Sequence, residues 1–69
     1  MYYAVYDKQT GDYLESGLNR QDKQDVKEDI ISLFYYDISQ DDRAIYSALP
    51  LEEILDMAEL RLDESEVKF

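Results

Sequence analysis

The sequence contains neither cysteine nor histidine. Without cysteine, no disulfide framework and no thiolate metal site can form, which fits a reducing compartment. Without histidine, the chain lacks the usual general base, the commonest metal ligand and the usual pH switch. Both absences remove groups that enzymes and metalloproteins ordinarily depend on.

Glycine and proline are also scarce, with Gly11, Gly17 and Pro50 as the only examples. A glycine-rich phosphate loop is therefore excluded. Carboxylates alone would suit only hard cations such as Ca²⁺, and the acidic segment 37–42 lacks the glycine and glutamate that a calcium loop requires. We expect no metal, no cofactor and no enzymatic activity.

Long hydrophobic runs are missing as well. No apolar stretch approaches the roughly 20 residues that a transmembrane helix needs, and Met1 leads directly into alternating polar and aromatic residues rather than a signal peptide. A chain of 69 residues, 45% of them hydrophobic, can fold as one domain with a small core. We expect a single domain over residues 1–69, soluble and cytoplasmic.

Positive charge is in short supply. Seventeen Asp and Glu residues face seven Lys and Arg residues, giving a formal net charge of −10. Nucleic acid backbones and anionic membranes would repel such a molecule, so direct binding to either is disfavoured. The charge favours a basic protein as the partner, and nucleic-acid-binding grooves are abundant basic surfaces.

The N-terminal third is typical of a β-hairpin. Residues 2–7 and 12–18 alternate in polarity, and the segment between them ends in Gly11, which can supply a positive φ. If Asp7 lies opposite Asp12, then Tyr6 lies opposite Tyr13. Tyr3, Val5, Leu14 and Leu18 then form the face that we expect in the core.

Three helices are expected after the hairpin. Asn19 is a candidate N-cap for a helix that continues to about residue 36, with Val26, Ile30, Leu33 and Phe34 as its apolar stripe. Within its last turn, Tyr35 is the ring that we expect to face solvent. Ser39 begins a capping box for a second helix, and Pro50 suits the first position of a third.

The last ten residues admit three interpretations. They could continue the third helix, fray, or return as a strand beside the hairpin. A strand is favoured because an isolated two-stranded hairpin is marginal in water. The fold class predicted is therefore α+β, with an N-terminal β-hairpin, two or three helices and a short C-terminal strand completing an antiparallel sheet.

Rows of carboxylates are the candidate binding residues. In the third helix Glu52, Asp56, Glu59 and Asp63 follow the spacing of a single helical face without intervening cations, and like charges at i, i+4 are destabilising. Such a row would span about 16 Å, a length comparable to that of several consecutive phosphates along a DNA strand. If the helix ended before Asp63, the row would shorten to three carboxylates. In the first helix the acidic side is formed by Asp22, Asp25 and Asp29.

Seven tyrosines offer a second candidate surface. Tyrosine combines a large apolar area with a polar tip, so it serves small cores and interfaces alike. Tyr2, Tyr6 and Tyr13 could form an exposed cluster on the outer face of the hairpin, or other elements could cover them. A surface of this kind would suit an interaction module or regulatory subunit whose acidity serves only solubility.

The chain is small and acidic, lacks cysteine and histidine, and carries rows of carboxylates such as Glu52, Asp56 and Glu59. In these respects it resembles acidic inhibitors encoded by phages and mobile elements. Anti-CRISPR proteins, anti-restriction proteins and uracil-DNA glycosylase inhibitors are the groups concerned. The resemblance implies a non-catalytic protein that occupies the basic groove of a nucleic-acid-binding protein by mimicking nucleic acid.

Overall fold

The computed structural model describes every residue from Met1 to Phe69. Its fold is α+β, as predicted, with an N-terminal strand, three helices and a C-terminal strand that pairs with the first. In chain order the elements are β1 (Tyr2–Asp7), α1 (Lys23–Phe34), α2 (Gln40–Ala48), α3 (Leu51–Met57) and β2 (Leu60–Ser65). None of the three helices has the length and hydrophobicity needed to cross a lipid bilayer.

Strand β1 lies in the middle of the sheet region. Its antiparallel ladder with β2 aligns Tyr2 with Ser65, Tyr3 with Glu64, Ala4 with Asp63, Val5 with Leu62, Tyr6 with Arg61 and Asp7 with Leu60. On the opposite edge, the Tyr3 N–H donates to the Arg20 carbonyl at 2.8 Å and the Leu14 N–H donates to the Val5 carbonyl at 2.9 Å. Both edges of β1 are thus occupied, whereas β2 has a strand partner on one side only.

The predicted hairpin is reduced to its turn. Tyr6 does lie opposite Tyr13, in the register that the sequence suggested, and the Asp7 N–H donates to the Asp12 carbonyl at 2.9 Å. Residues 12–18 nevertheless form no strand. Gly17 and Asn19 both adopt positive φ, so the chain turns away after a few residues, and the full-length strand partner of β1 is β2 instead.

Helix α1 begins three residues later than the prediction based on Asn19. Asp22 is its N-cap, with an extended backbone and a carboxylate that accepts from the Gln24 N–H at 2.9 Å. Asn19 has a left-handed φ of 58°, a conformation that asparagine tolerates better than most residues. Its side chain instead binds the chain terminus, accepting from the Phe69 N–H at 2.8 Å.

The buried face of α1 is also shorter than predicted. Val26, Ile30 and Ile31 are buried, but Leu33 and Phe34 remain 44% and 43% exposed at the helix end. The prediction that Tyr35 faces solvent was wrong. Its ring packs against the core and stacks on Tyr46 from α2, with ring centroids 4.7 Å apart.

The two shorter helices begin close to where the sequence placed them. Ser39 caps α2 by accepting from the Asp42 N–H at 3.2 Å. Pro50 is the N-cap of α3 rather than its first helical residue. Lys27 of α1 donates through Nζ to the Ser47 carbonyl at 2.7 Å and the Leu49 carbonyl at 3.0 Å. That contact ties α1 to the C-terminal end of α2, where helix carbonyls lack internal partners.

One hydrophobic core joins the sheet to the helices. Its buried members are Val5, Val26, Ile30, Ile31, Ile54, Leu55 and Leu60. Tyr3, Leu14 and Leu62 pack against this core. Four residues were predicted for the inner face of the hairpin, and three of them, Tyr3, Val5 and Leu14, belong to the core or contact it. Ala4 of β1 is fully buried too.

Candidate partner-binding surface

Two carboxylates of the predicted row share an exposed face of α3. Glu52 and Asp56 lie one helical turn apart on this short helix, and both are exposed. Neighbours at that spacing sit roughly 5–6 Å apart. Neither carboxylate takes part in an ion pair or a side-chain hydrogen bond. Their charges are therefore available to an external cation.

The other two members of the row do not lie on this helix, which corrects the prediction of a four-residue helical face. The helix ends at Met57, and Glu59 turns the chain with a left-handed φ of 56°. The Glu59 carboxylate accepts from the Gln9 amide at 3.1 Å. Asp63 lies in β2 and accepts from the Tyr13 hydroxyl at 2.6 Å. Both carboxylates are engaged in contacts that hold the sheet region together.

On α1, too, some of the predicted carboxylates are already bound within the chain and are not free for a partner. Asp22 is occupied as the N-cap of the helix. Asp29 receives two hydrogen bonds from the Arg20 guanidinium, at 2.8 and 3.3 Å, and these bonds raise the pKa of Arg20 above its ordinary value. Asp25 alone remains exposed without a hydrogen bond or an ion pair. Helix α1 thus contributes one free carboxylate rather than three.

The predicted tyrosine surface is an internally connected cluster. The Tyr6 and Tyr13 rings meet edge to face with centroids 5.8 Å apart, and Phe69 lies 5.4 Å from Tyr13. The hydrogen bond to Asp63, with the loss of solvent around the hydroxyl, raises the pKa of Tyr13. Tyr2 lies beneath Lys68, with Nζ 6.0 Å from its ring centroid. These rings stabilise the outer side of the sheet, and about half of Tyr13 remains exposed.

Very little of the negative charge is neutralised within the chain. The seventeen acidic residues form two ion pairs, Arg20 with Asp29 and Lys23 with Glu64. Other cations are directed elsewhere: Lys27 binds helix carbonyls and Arg43 donates to the Ser32 hydroxyl at 2.9 Å. Most of the acidic surface therefore remains uncompensated, a condition that favours association with a positively charged partner.

A shallow groove adjoins the free carboxylates of α3. It encloses about 340 Å³ and runs between α3 and the first half of β2. Its lining residues are Tyr6, Glu52, Leu55, Asp56, Leu60, Arg61 and Leu62. The sequence carries no sign of this groove, because the groove depends on β2 returning beside α3. An apolar floor next to two unpaired carboxylates can accept a side chain with an aliphatic stem and a cationic end.

A second cavity, of about 460 Å³, lies between α1 and the loop formed by residues 15–20. Arg20 and Asp29 both line it, already paired with each other. No group of three or more carboxylates converges closely enough to hold a metal ion. This cavity holds a satisfied ion pair and one unpaired carboxylate, that of Glu15, so it offers less unpaired charge than the groove beside α3.

Comparison with known proteins adds no relative of known activity. No protein family, no curated protein and no solved structure matches the chain. The function of this protein has to be inferred from its groove, its charges and its contacts.

Proposed function

We propose that this protein is a non-catalytic cytoplasmic inhibitor that binds a nucleic-acid-binding protein by presenting the acidic face of α3 to its basic groove. The observation that carries the proposal is the pair Glu52 and Asp56, exposed and unpaired beside an apolar groove. The carboxylates would take the place of phosphates, and Lys or Arg of the partner would bind them.

The energetics favour a free acidic face over a paired one. A carboxylate that already has a cationic partner must lose that contact before it can bind another, whereas Glu52 and Asp56 have none to lose. Arginine can form two parallel hydrogen bonds with one carboxylate, which are among the stronger polar contacts in proteins. The net charge of −10 adds long-range attraction, so association should be fast and sensitive to salt.

The neighbouring apolar groove supplies what charge alone does not. Leu55 and Leu60 form part of its floor and belong to the buried core cluster. Burial of an aliphatic stem against such a floor would slow release of the partner. The tyrosine surface is the weaker candidate for this role, because Tyr6 and Tyr13 contact each other and Tyr13 also contacts Phe69.

The test compares two variants that remove the same amount of charge. One carries Glu52→Gln and Asp56→Asn, and the matched control carries Asp41→Asn and Asp42→Asn in the exposed first turn of α2. Each immobilised protein is exposed to nuclease-treated lysate, and captured proteins are identified by mass spectrometry. We expect the wild type and the control to retain a nucleic-acid-binding protein that the α3 variant loses.

Two further readouts make the result decisive. The captured protein should elute below roughly 0.5 M salt, because the Debye length then falls to a few ångströms. A duplex oligonucleotide should compete with the inhibitor for the captured protein. Equal retention by the two variants would contradict the proposal, as would retention that persists at 1 M salt. Circular dichroism and urea unfolding of both variants establish that they are folded.

A further inference from the structure

The four residues that follow β2, called here the tail (66–69), fold back onto the loop that precedes α1. The Phe69 N–H donates to Asn19 Oδ1 at 2.8 Å, and Asn19 Nδ2 donates to the Phe69 carbonyl at 3.4 Å. One side-chain amide thereby holds both backbone polar groups of a single residue, as an opposed residue does in a hydrogen-bonded pair of an antiparallel sheet. Asn19 therefore acts as a receptor for one peptide residue.

Two tyrosine rings receive side chains of the same segment. The Phe69 ring centroid lies 5.4 Å from that of Tyr13, a separation typical of favourable aromatic pairs. Lys68 places Nζ 6.0 Å from the centre of the Tyr2 ring, at the outer limit of a cation–π contact. Val67, in contrast, is 71% exposed. The surface therefore contacts the cation and the aromatic ring of the tail and leaves the adjacent aliphatic side chain in solvent.

The backbone of Asn19 adopts a left-handed conformation, with a φ of 58°. Glycine reaches this conformation without the steric cost that other residues carry, and Gly17, two positions earlier, uses it. Asparagine tolerates it better than most residues and brings the amide that glycine lacks. Residues in such conformations persist where the surrounding structure fixes them, and they cluster at ligand sites. Asn19 thus serves peptide capture as well as the turn.

We propose that Tyr2, Tyr13 and Asn19 form a peptide-binding site, which the tail occupies as an internal ligand. The external ligand is a partner segment in which a cationic residue is followed by an aromatic one. The tail shows what the site accepts, because it presents a peptide group, a cation and a ring to three separate receptors. The net charge of −10 also favours a cationic segment. This surface is distinct from the groove beside α3, and the inference does not depend on the proposed function.

The tail can be displaced because its contacts are few and exposed. Both hydrogen bonds to Asn19 lie at the surface, and Phe69 remains 41% exposed. No residue of the tail belongs to a helix, a strand or an ion pair. Segments with these properties open at a low cost in free energy. The closed tail is therefore an autoinhibitory contact, since it lowers the apparent affinity for an external segment in proportion to the fraction of molecules that are open.

The experiment titrates a blocked dipeptide, acetyl-Lys-Phe-amide, into isotope-labelled protein and follows the NMR signals of the backbone. The wild-type chain is compared with a tail-released variant, the full chain carrying Lys68→Ala and Phe69→Ala, which lacks both side chains that contact the rings. We expect the variant to bind the dipeptide, with shifts concentrated at Tyr2, Tyr13 and Asn19. The wild type should bind about tenfold more weakly, the reduction expected when about one molecule in ten is open.

Matched controls identify the site and its specificity. Val67→Ala shortens an exposed side chain of the tail and should leave the affinity at the wild-type value. Within the tail-released variant, Asn19→Gly keeps the turn accessible and removes the amide, so it should weaken binding by about fivefold or more. Acetyl-Glu-Phe-amide, which carries a carboxylate in place of the cation, should bind more weakly than acetyl-Lys-Phe-amide.

Three results would overturn the proposal. They are absence of binding to the tail-released variant, equal affinity of that variant and the wild type, and shifts confined to the groove beside α3. Equal binding of the two dipeptides would refute the specificity for a cation. Circular dichroism and urea unfolding establish that each variant is folded.

Discussion

The acidic faces of α1 and α3 look alike in sequence and differ in use. On α1, Asp22 caps the helix and Asp29 binds Arg20. On α3, Glu52 and Asp56 contact no cation. Evenly spaced carboxylates therefore do not by themselves identify a binding surface. What distinguishes them is whether the fold has already supplied a partner for each.

The difference follows from what lies next to each helix. The loop that precedes α1 carries Arg20 back against the helix, where its guanidinium reaches Asp29. The strand that follows α3 brings leucines and one arginine beside the acidic face, and Arg61 is not bound to either carboxylate. The following substitutions test this contrast between structural and free carboxylates.

The largest effect is expected from Asp22→Ala. Loss of the side-chain cap of α1 should lower the free energy of unfolding by about 1 kcal/mol, within a usual range of about 0.5–2 kcal/mol. Urea unfolding followed by circular dichroism measures the change. Asp22→Asn is the matched control, since asparagine caps nearly as well, and it should lose much less. Equal losses in the two variants would show that charge rather than capping is responsible.

A smaller loss is expected from Asp29→Asn. The substitution removes the charge that Arg20 binds, and the effect is limited because the Arg20 side chain remains half exposed to solvent, where ion pairs contribute little. Asp25→Asn is the control one turn earlier on the same side of α1, where no cation is bound. Asp25 lies in the first turn of α1, where the helix dipole favours a negative charge, but the substitution also relieves repulsion from Asp29 one turn away. Asp25→Asn should therefore lose less stability than Asp29→Asn. If Asp25→Asn were the more damaging substitution, Asp25 rather than Asp29 would be the carboxylate with a structural role.

A gain of a few tenths of a kcal/mol is expected from Asp56→Asn. The substitution relieves repulsion with Glu52 and removes a negative charge near the C-terminal end of α3, where the helix dipole disfavours it. Glu53→Gln is the comparison, because it removes a favourable charge from the first turn and should not stabilise. The same unfolding assay detects both changes. Destabilisation by Asp56→Asn would mean that its carboxylate has a structural partner after all.

The remaining prediction is confined to alkaline solution. The pKa of Tyr13 is raised above 10.0 by its hydrogen bond to Asp63, so the neutral hydroxyl is favoured in the folded state. Its contribution to stability is complete below pH 10 and is lost as the pH rises through the higher folded pKa. Tyr13→Phe should therefore lose less stability than the wild type as the pH rises above 10. Parallel curves for the two proteins would contradict this.

Much of the fold could be predicted because it rests on short-range patterns. The Ser39 cap, the Tyr6–Tyr13 register and the burial of Val26 and Ile30 follow from turn chemistry and periodicity. The end of α3 was harder to place. Glu59 adopts a left-handed conformation that glycine or asparagine normally marks, so the sequence carries no clear signal for the turn into β2.

The candidate surface was predicted only in part, since its boundaries depend on contacts between distant residues. Tyr13 and Asp63 are fifty positions apart, as are Gln9 and Glu59. No local pattern reveals that these acids have partners while Glu52 and Asp56 do not. The groove beside α3 likewise requires β2 to return along β1.

By itself the sequence determined the α+β class, the Ser39 cap and the excess of negative charge, because composition, periodicity and turn residues act over a few positions. The tertiary structure decided which carboxylates are free. Turns of the chain at Gly17, Asn19 and Glu59 bring side chains that are distant in sequence close to one another. This proximity is needed because hydrogen bonds and ion pairs act only over a few ångströms. The same tertiary arrangement leaves α3 with its two unpaired charges.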